Sequence, residues 1–284
     1  MGVEGVSPEV VRMRRSQRFG ELACVLFCLL APGLCVGADE QNLSKEQIQH
    51  FLLTAKVVNI RHSNKGITDT LRLTLSDGTV THDASFQAID EHKTEMTLAD
   101  GRRELLFVDS YKYNIAAYRL AELLGLDDML PVYVERKWQA QIGSLSWWVP
   151  VQMDEAERLK RKVSPPDDDT WNKQMYKVRV LDELVYDTDP NLTNVLISPD
   201  WKIYRIDFTR AFRLAKNLRA PKNLVRCDRI LFDKLKALDK NDLSRRTKGY
   251  LNKDEVEAVM ARRDKIVTYF QKLIAQSGEN EVLY

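Results

Sequence analysis

The segment from Tyr186 to Phe212 constrains the fold of this chain more than any other stretch. It reads YDTDPNLTNVLISPDWKIYRIDFTRAF. Two short apolar runs, NVLIS and KIYRID, flank a Pro-Asp-Trp turn, and this pattern predicts two strands joined in a tight hairpin. Such a hairpin would bring Asn194 and Asp207 side by side, with Asp189 in the loop just before it.

These three side chains are of the types that phosphoryl transfer needs. A carboxylate must orient the incoming hydroxyl or accept its proton, and hard oxygen ligands must hold Mg²⁺ against the nucleotide phosphates. Asp189 and Asn194 have the D-x-x-x-x-N spacing of kinases, and Asp207 begins a D-F-T variant of their D-F-G sequence. A lone Asp or Asn in a turn is usually a cap, but the three together predict a catalytic Asp189 and two metal ligands, Asn194 and Asp207.

The same segment resembles the catalytic loop and metal-binding segment of atypical kinases of the HipA and phosphatidylinositol 3-/4-kinase-like group. It is more similar still to a bacterial family of kinase-like proteins with an I-D-H-T-R-A-F-R signature, which reads IDFTRAFR here. The likeness extends from about Phe51 to the C-terminus, through IAAYRLAELLGLDDMLPVYVERKW, SLSWWV and LVRCDRILF. The resemblance implies the same roles for the three residues above, and a supporting or substrate-contacting role for Arg210 and Arg213.

The loop departs from the family's pattern at three positions. Asp187 stands where the family has Asn, Pro190 where it has Arg, and Thr193 where it has Gly. We expect the additional carboxylate of Asp187 either to serve a second metal ion or to be solvated.

The features that would hold nucleotide phosphates are less complete. Kinases use a Lys on the third strand, held by a Glu on the following helix, whereas Gln87 and Asn114 stand near those positions here. Lys93 is the nearest substitute lysine, and the phosphate loop offers only Lys65 and Gly66 in place of G-x-G-x-x-G. The candidate nucleotide-binding residues are Lys65, Gly66, Gln87 and Lys93.

Residue patterning around this segment predicts an α+β, two-lobed, protein-kinase-like fold. Alternating β-branched residues predict strands over about 55–61, 69–75 and 79–88, with a further hairpin around LADGRRELLFV. An apolar stripe in SYKYNIAAYRLAELLGL predicts one long helix that ends at Gly125, followed by two more strands. These elements would form a β-rich N-lobe over residues 39–153.

The rest of the chain, residues 154–284, is predicted to form a helical C-lobe. The charged sequence EAERLKRKVSPPDDDT reads as a solvent-exposed connector, and WNKQMYKVRVLDELVYD as a helix that leads into the catalytic loop. Helices are also predicted over 222–247 and 252–276, the second capped by Asn252.

The first 38 residues differ from the rest. Basic residues precede the apolar run LACVLFCLLAPGLCVGA, a pattern typical of a secretory signal peptide cleaved after Ala38, with Met13 as an alternative start. A buried N-terminal helix or an uncleaved membrane anchor are the other interpretations, and only the anchor would give membrane contact. Cleavage would leave Cys227 as the sole cysteine, a structural thiol, which excludes an intrachain disulfide and a cysteine zinc site.

These observations predict an exported phosphotransferase that uses ATP with Mg²⁺ or Mn²⁺ and acts on an unidentified acceptor: a protein, a lipid or a small molecule. The net charge of +2 gives no electrostatic case for binding nucleic acid. Gln87 and Asn114 favour the alternative of an exported pseudokinase that binds nucleotide or a protein partner without phosphotransfer. A third alternative is an exported ligand-binding domain that uses no nucleotide.

Overall fold

The computed structural model describes residues 43–62, 70–97, 101 and 103–284. The sequence predictions for the signal peptide, Lys65 and Gly66 therefore lie outside the described residues. The N-terminal part is rich in strands: α1 Lys45–Thr54, β1 Lys56–His62, β2 Leu71–Ser76, β3 Thr81–Gln87, β4 Asp90–Thr97, β5 Arg103–Ser110, α2 Tyr111–Leu124, β6 Tyr133–Trp138 and β7 Gln141–Trp147.

Five of these strands form one antiparallel sheet in the order β1-β2-β3-β7-β6. Its two faces differ, because successive side chains on a strand point to opposite sides. Phe86 lies opposite Leu145 and Gln87 opposite Ser144. The apolar face packs on α1, where Phe51 contacts the ring of Trp147 edge-on, 5.7 Å between centroids. The opposite face carries Gln87 and Ser144, which Asn114 of α2 contacts.

The other two strands, β4 and β5, pair with each other and form a hairpin that lies between β3 and α2 in the chain. The predicted hairpin around LADGRRELLFV is therefore confirmed. The hairpin ends at Ser110, whose side chain accepts a hydrogen bond from the Lys112 backbone N–H and caps α2. The cap fixes where the hairpin stops and the helix starts.

Helix α2 is the central helix of the fold. Ten of its 14 residues are buried, because it packs between the sheet and helices α5 and α6. Gly125 ends it in a left-handed conformation, φ 68°, as its position in the sequence predicts.

The C-terminal part is mainly helical: β8 Met153–Asp154, α3 Glu155–Arg161, α4 Asp168–Val185, β9 Val195–Ile197, β10 Ile203–Arg205, α5 Arg229–Ala237, α6 Lys240–Arg246, α7 Lys253–Ser277 and α8 Glu279–Val282. Asn252 caps α7 in a capping box with Glu255, as predicted. The chain thus has the predicted α+β architecture, with a strand-rich N-terminal part that holds one long helix and a helical C-terminal part. In the described part of the chain, no helix combines the length and apolarity needed to cross a membrane.

The stretch predicted to be helical over 222–247 contains helices α5 and α6. Asp228 caps α5 and Asp239 caps α6, each by accepting backbone N–H groups. The prediction of an exposed connector is wrong at its start, because helix α3 begins there, capped by Asp154, and its Glu155 is buried against Arg158. Cys227 is a buried free thiol, as a structural role requires.

Arg262 on α7 connects several elements of the C-terminal part through hydrogen bonds. Its side chain is fully buried and donates to the carbonyl oxygens of Leu184 at 2.8 Å, Arg213 at 2.8 Å and Ala215 at 2.5 Å. One guanidinium therefore holds the end of α4 and the segment 213–215 against α7.

We expect Arg262→Met to lower the free energy of unfolding by about 3 kcal/mol, because three buried carbonyl groups lose a charged donor. Chemical denaturation followed by circular dichroism measures this. The control is Arg245→Met, whose side chain is 75% exposed and should change stability by less than about 0.5 kcal/mol. A loss below about 1 kcal/mol for Arg262→Met would contradict the assignment.

Candidate functional site

The hairpin β9–β10 positions two of the predicted site residues. Val195 pairs with Arg205 and Ile197 with Ile203, and the Ile206 backbone N–H donates to the Asn194 carbonyl oxygen at 3.0 Å. Asn194 thus lies directly opposite Ile206, and Asp207 follows one residue later. The hairpin accordingly brings the two predicted metal ligands to the same end.

Asp189 is held near this end of the hairpin by hydrogen bonds of the preceding residue, Thr188. Thr188 donates from its backbone N–H to the Arg210 carbonyl oxygen at 3.3 Å and from its hydroxyl to the same oxygen at 3.0 Å. The Asp189 carboxylate is 52% exposed and lies 3.6 Å from Arg210 Nη1. It is an accessible carboxylate, which a residue that meets an incoming hydroxyl must be.

Asp187 has a different environment from the one expected. It is 1% exposed, and both carboxylate oxygens are used: Oδ2 pairs with Arg205 Nη2 and Oδ1 accepts from the Asp189 backbone N–H at 2.9 Å. Arg205 is also buried, and its Nε donates to Asp182 Oδ1 at 3.1 Å. Solvation of Asp187 is therefore wrong, because the side chain is buried and its oxygens hold the loop. Service of a second metal ion stays a prediction.

Asp207 has a left-handed backbone conformation, φ 59°, which non-glycine residues seldom adopt outside turns and functional sites. Burial raises the pKa of its carboxyl, and the nearby Asp109 carboxylate acts in the same direction, against Thr209 and Arg205. The Thr209 hydroxyl donates to Asp207 Oδ1 at 3.1 Å.

Asp109 is a residue that the sequence reasoning missed. It lies at the end of β5, is 9% exposed, and burial raises the pKa of its carboxyl. The sequence does carry a signal for it, because LLFVDS is an apolar strand that ends in an acid directly before the helix cap. This pattern does not predict that Asp109 lies near Asp207, because Asp207 is 98 positions further along the chain.

Gln87 and Asn114, the residues expected near the positions of the kinase Lys and Glu, form a neutral pair in direct contact. Asn114 Nδ2 donates to Gln87 Oε1 at 2.7 Å and to Ser144 Oγ at 3.3 Å. The Asn114 Oδ1 in turn accepts from the Phe208 backbone N–H at 2.7 Å. Helix α2 is thereby tied both to the sheet and to the D-F-T segment, without an ion pair.

The remaining predicted residues lie on or near the β4–β5 hairpin. Arg210 Nη2 and Arg213 Nη2 both bind Glu104 of β5, at 3.0 Å and 2.6 Å, so the hairpin is anchored to the segment after Asp207. Lys93 is on β4, where its ammonium pairs with Glu91 at 2.6 Å. The structure thus places Lys93 in a surface ion pair and not against Gln87 or Asn114.

A cavity of about 650 Å³ adjoins the loop between α4 and β9. Such a volume suits a small molecule or the side chains of a larger one. The β4–β5 hairpin, α2, this loop, the segment after Asp207 and the start of α7 all contribute to the cavity wall, which includes Leu105, Tyr113, Tyr186, Thr188, Phe212 and Arg219.

The donors at the end of the hairpin fit a divalent cation of the hard type. Asn194 and Asp207 offer amide and carboxylate oxygens, the ligands that Mg²⁺ and Mn²⁺ prefer, and Asp109 adds a buried carboxylate oxygen without a hydrogen-bond partner in the described part of the chain. No group of three or more His, Cys, Asp or Glu side chains there has the geometry of a complete protein-only metal site. Mg²⁺ usually keeps several waters and substrate phosphates among its ligands.

No protein-family model matches the chain, and no curated protein matches it by sequence. Solved structures do match it. Hydra Fam20, in a structure with sugar, has a TM-score of 0.62 at 13% identity, over 84% of this chain and 91% of that one. The Golgi casein kinase with Mn/ADP bound has a TM-score of 0.59 at 12% identity, over 87% and 79%.

The proinflammatory kinase CtkA of Helicobacter pylori is also similar, with a TM-score of 0.50 at 9% identity over 80% and 98% of the two chains. The similarity to HipA and the phosphatidylinositol kinases is not tested by these matches and stays a prediction. At such identities the matches establish the fold alone. This chain has the fold of the atypical kinases.

Proposed function

We propose that this protein is a phosphotransferase that uses ATP with Mg²⁺ or Mn²⁺. The observation that carries the proposal is the convergence of Asp189, Asn194 and Asp207 at one end of the β9–β10 hairpin, through the backbone bonds of Ile206 to Asn194 and of Thr188 to Arg210. The fold shared with kinases, one of which was crystallised with Mn/ADP, supports it.

Each residue has a role that follows from its environment. The exposed Asp189 orients the acceptor hydroxyl and accepts its proton. The side-chain oxygens of Asn194 and Asp207 hold the metal ion, which when bound neutralises charge on the β- and γ-phosphates. Arg210 Nη1 lies 3.6 Å from the Asp189 carboxylate and places a positive charge beside it, and Arg213 binds Glu104 of the β4–β5 hairpin.

A second candidate function is a pseudokinase that binds nucleotide or a protein partner without transfer. The contact between Gln87 and Asn114 favours it, because a neutral pair supplies no positive charge to the α- and β-phosphates. Lys93 does not replace that charge, since it is paired with Glu91. The two functions differ in phosphate transfer and not in fold.

We also propose the organisation predicted from the sequence: a signal peptide over 1–38, a strand-rich lobe over 39–153 and a helical lobe over 154–284, in an exported protein. The resemblance to a Golgi casein kinase supports a secretory route. Mass spectrometry of the protein recovered outside the cytoplasm tests this, and a mature chain that still contains residues 1–38 would contradict cleavage.

We expect the full chain to bind ATP only when Mg²⁺ or Mn²⁺ is present, and Asp207→Asn to weaken this binding at least about tenfold, because a carboxylate ligand loses its charge. Isothermal titration calorimetry measures both. The matched control is Asp200→Asn in the turn of the same hairpin, where the carboxylate is exposed and should leave the affinity unchanged. A folded wild-type protein that binds no ATP would refute both candidate functions that use nucleotide.

We expect Asp189→Asn to retain ATP binding while γ-phosphate transfer falls by about 10²–10⁴, the usual contribution of a positioned general base. Release or transfer of labelled γ-phosphate measures the rate, again with Asp200→Asn as control. Transfer that is absent in the wild type but accompanied by normal metal-dependent binding would favour the pseudokinase. Equal rates in wild type and Asp189→Asn would remove Asp189 from the mechanism.

A further inference from the structure

The Asp109 carboxylate at the end of β5 is not accounted for by the contacts around it. Asp109 is 9% exposed, and its Oδ1 has no hydrogen-bond partner among the residues that the structure describes. A buried carboxylate with an unused oxygen is costly unless something binds it. The orphan oxygen therefore points to a ligand that the chain itself does not provide.

Asp109 faces the D-F-T segment. The Ser110 backbone N–H donates to the Thr209 carbonyl oxygen at 2.9 Å, which fixes the end of β5 against that segment. The Thr209 hydroxyl donates to Asp207 Oδ1 and also interacts with the Asp109 carboxylate. A hydroxyl has one proton to donate, so it cannot satisfy both carboxylates at once.

The charges around the two carboxylates do not balance. Arg210 and Arg213 are the cations that act on Asp109, but both also bind Glu104, and Arg210 faces Asp189 as well. Arg205, the cation that acts on Asp207, also binds Asp182 and Asp187. Carboxylates therefore outnumber guanidinium groups around Asp109 and Asp207, and this excess of negative charge favours a bound cation.

We propose that Asp109 and Asp207 together hold a divalent cation, with Asp109 binding it through Oδ1. The proposal deepens the proposed function, on which it rests, by adding a ligand from the N-terminal part to the two from the β9–β10 hairpin. Carboxylate oxygens are ligands for Mg²⁺ and Mn²⁺. A cation held from both sides would supply positive charge near the phosphates, where Gln87 supplies none.

Asp109→Asn tests the proposal, because the amide keeps the shape of the side chain and removes its charge. The full-chain protein is titrated with Mn²⁺, with and without ATP, and free Mn²⁺ is followed by electron paramagnetic resonance. We expect the affinity for Mn²⁺ to fall at least about tenfold, since losing even an outer partner of a metal ligand costs about 10–100-fold. Thermal unfolding gives a second readout: Mn²⁺ should raise the Tm of the wild type and not that of Asp109→Asn.

The control is Glu91→Gln, which removes the same charge directly opposite Asp109 on the β4–β5 ladder. Glu91 is exposed and paired with Lys93, so its loss should change the affinity for Mn²⁺ by less than about twofold. Without metal, Asp109→Asn should melt at or above the wild-type Tm, because it removes a poorly compensated buried charge. A clear loss of metal-free stability would instead make Asp109 a structural partner of Arg210 and overturn the proposal.

The outcomes separate this proposal from the proposed function. ATP binding with Mn²⁺ that Asp109→Asn leaves unchanged would overturn the Asp109 site and leave the phosphotransferase intact. Mn²⁺ binding that depends on Asp109, in a protein that binds no ATP, would support the site and refute the phosphotransferase. A wild-type protein that binds no Mn²⁺ in either condition would overturn the site.

Discussion

The buried guanidinium of Arg205 is the interaction on which the site depends. It contacts three elements at once: Asp182 on α4, Asp187 in the loop between α4 and β9, and the carbonyl oxygen of Ile206, directly before Asp207. Taking these charges out of water costs several kcal/mol per ion, so the cluster is stable only while its geometry is complete. Because each partner belongs to a different element, α4, the loop and the hairpin are held in a single arrangement.

A second set of contacts joins this arrangement to the N-terminal part. Asn114 bonds the sheet through Gln87 and Ser144, and the D-F-T segment through the Phe208 backbone N–H. A Lys–Glu pair at these positions would make similar structural contacts, and its Lys would also place a positive charge beside the phosphates. The neutral pair makes these structural contacts but supplies no positive charge.

The β4–β5 hairpin helps to hold the segment that follows Asp207. Glu104 of β5 binds both Arg210 and Arg213, and Asp109 of the same strand reaches Thr209. The hairpin therefore contacts Thr209, Arg210 and Arg213, which lie close together in sequence. A movement of the hairpin would change the environment of Asp189 and Asp207 together, which links the cavity beside it to the proposed chemistry.

The sequence by itself determined the local elements: the β9–β10 hairpin, the end of α2 at Gly125, the cap of α7 at Asn252 and the neighbourhood of Asn194 and Asp207. Each follows from residues a few positions apart, through periodicity, turn chemistry or capping. Only the tertiary structure decided that Asp187 is buried by Arg205, that Gln87 meets Asn114, and that Asp109 lies by Asp207. These contacts join residues from 18 to 98 positions apart, and burial and charge pairing over such separations depend on how whole elements pack.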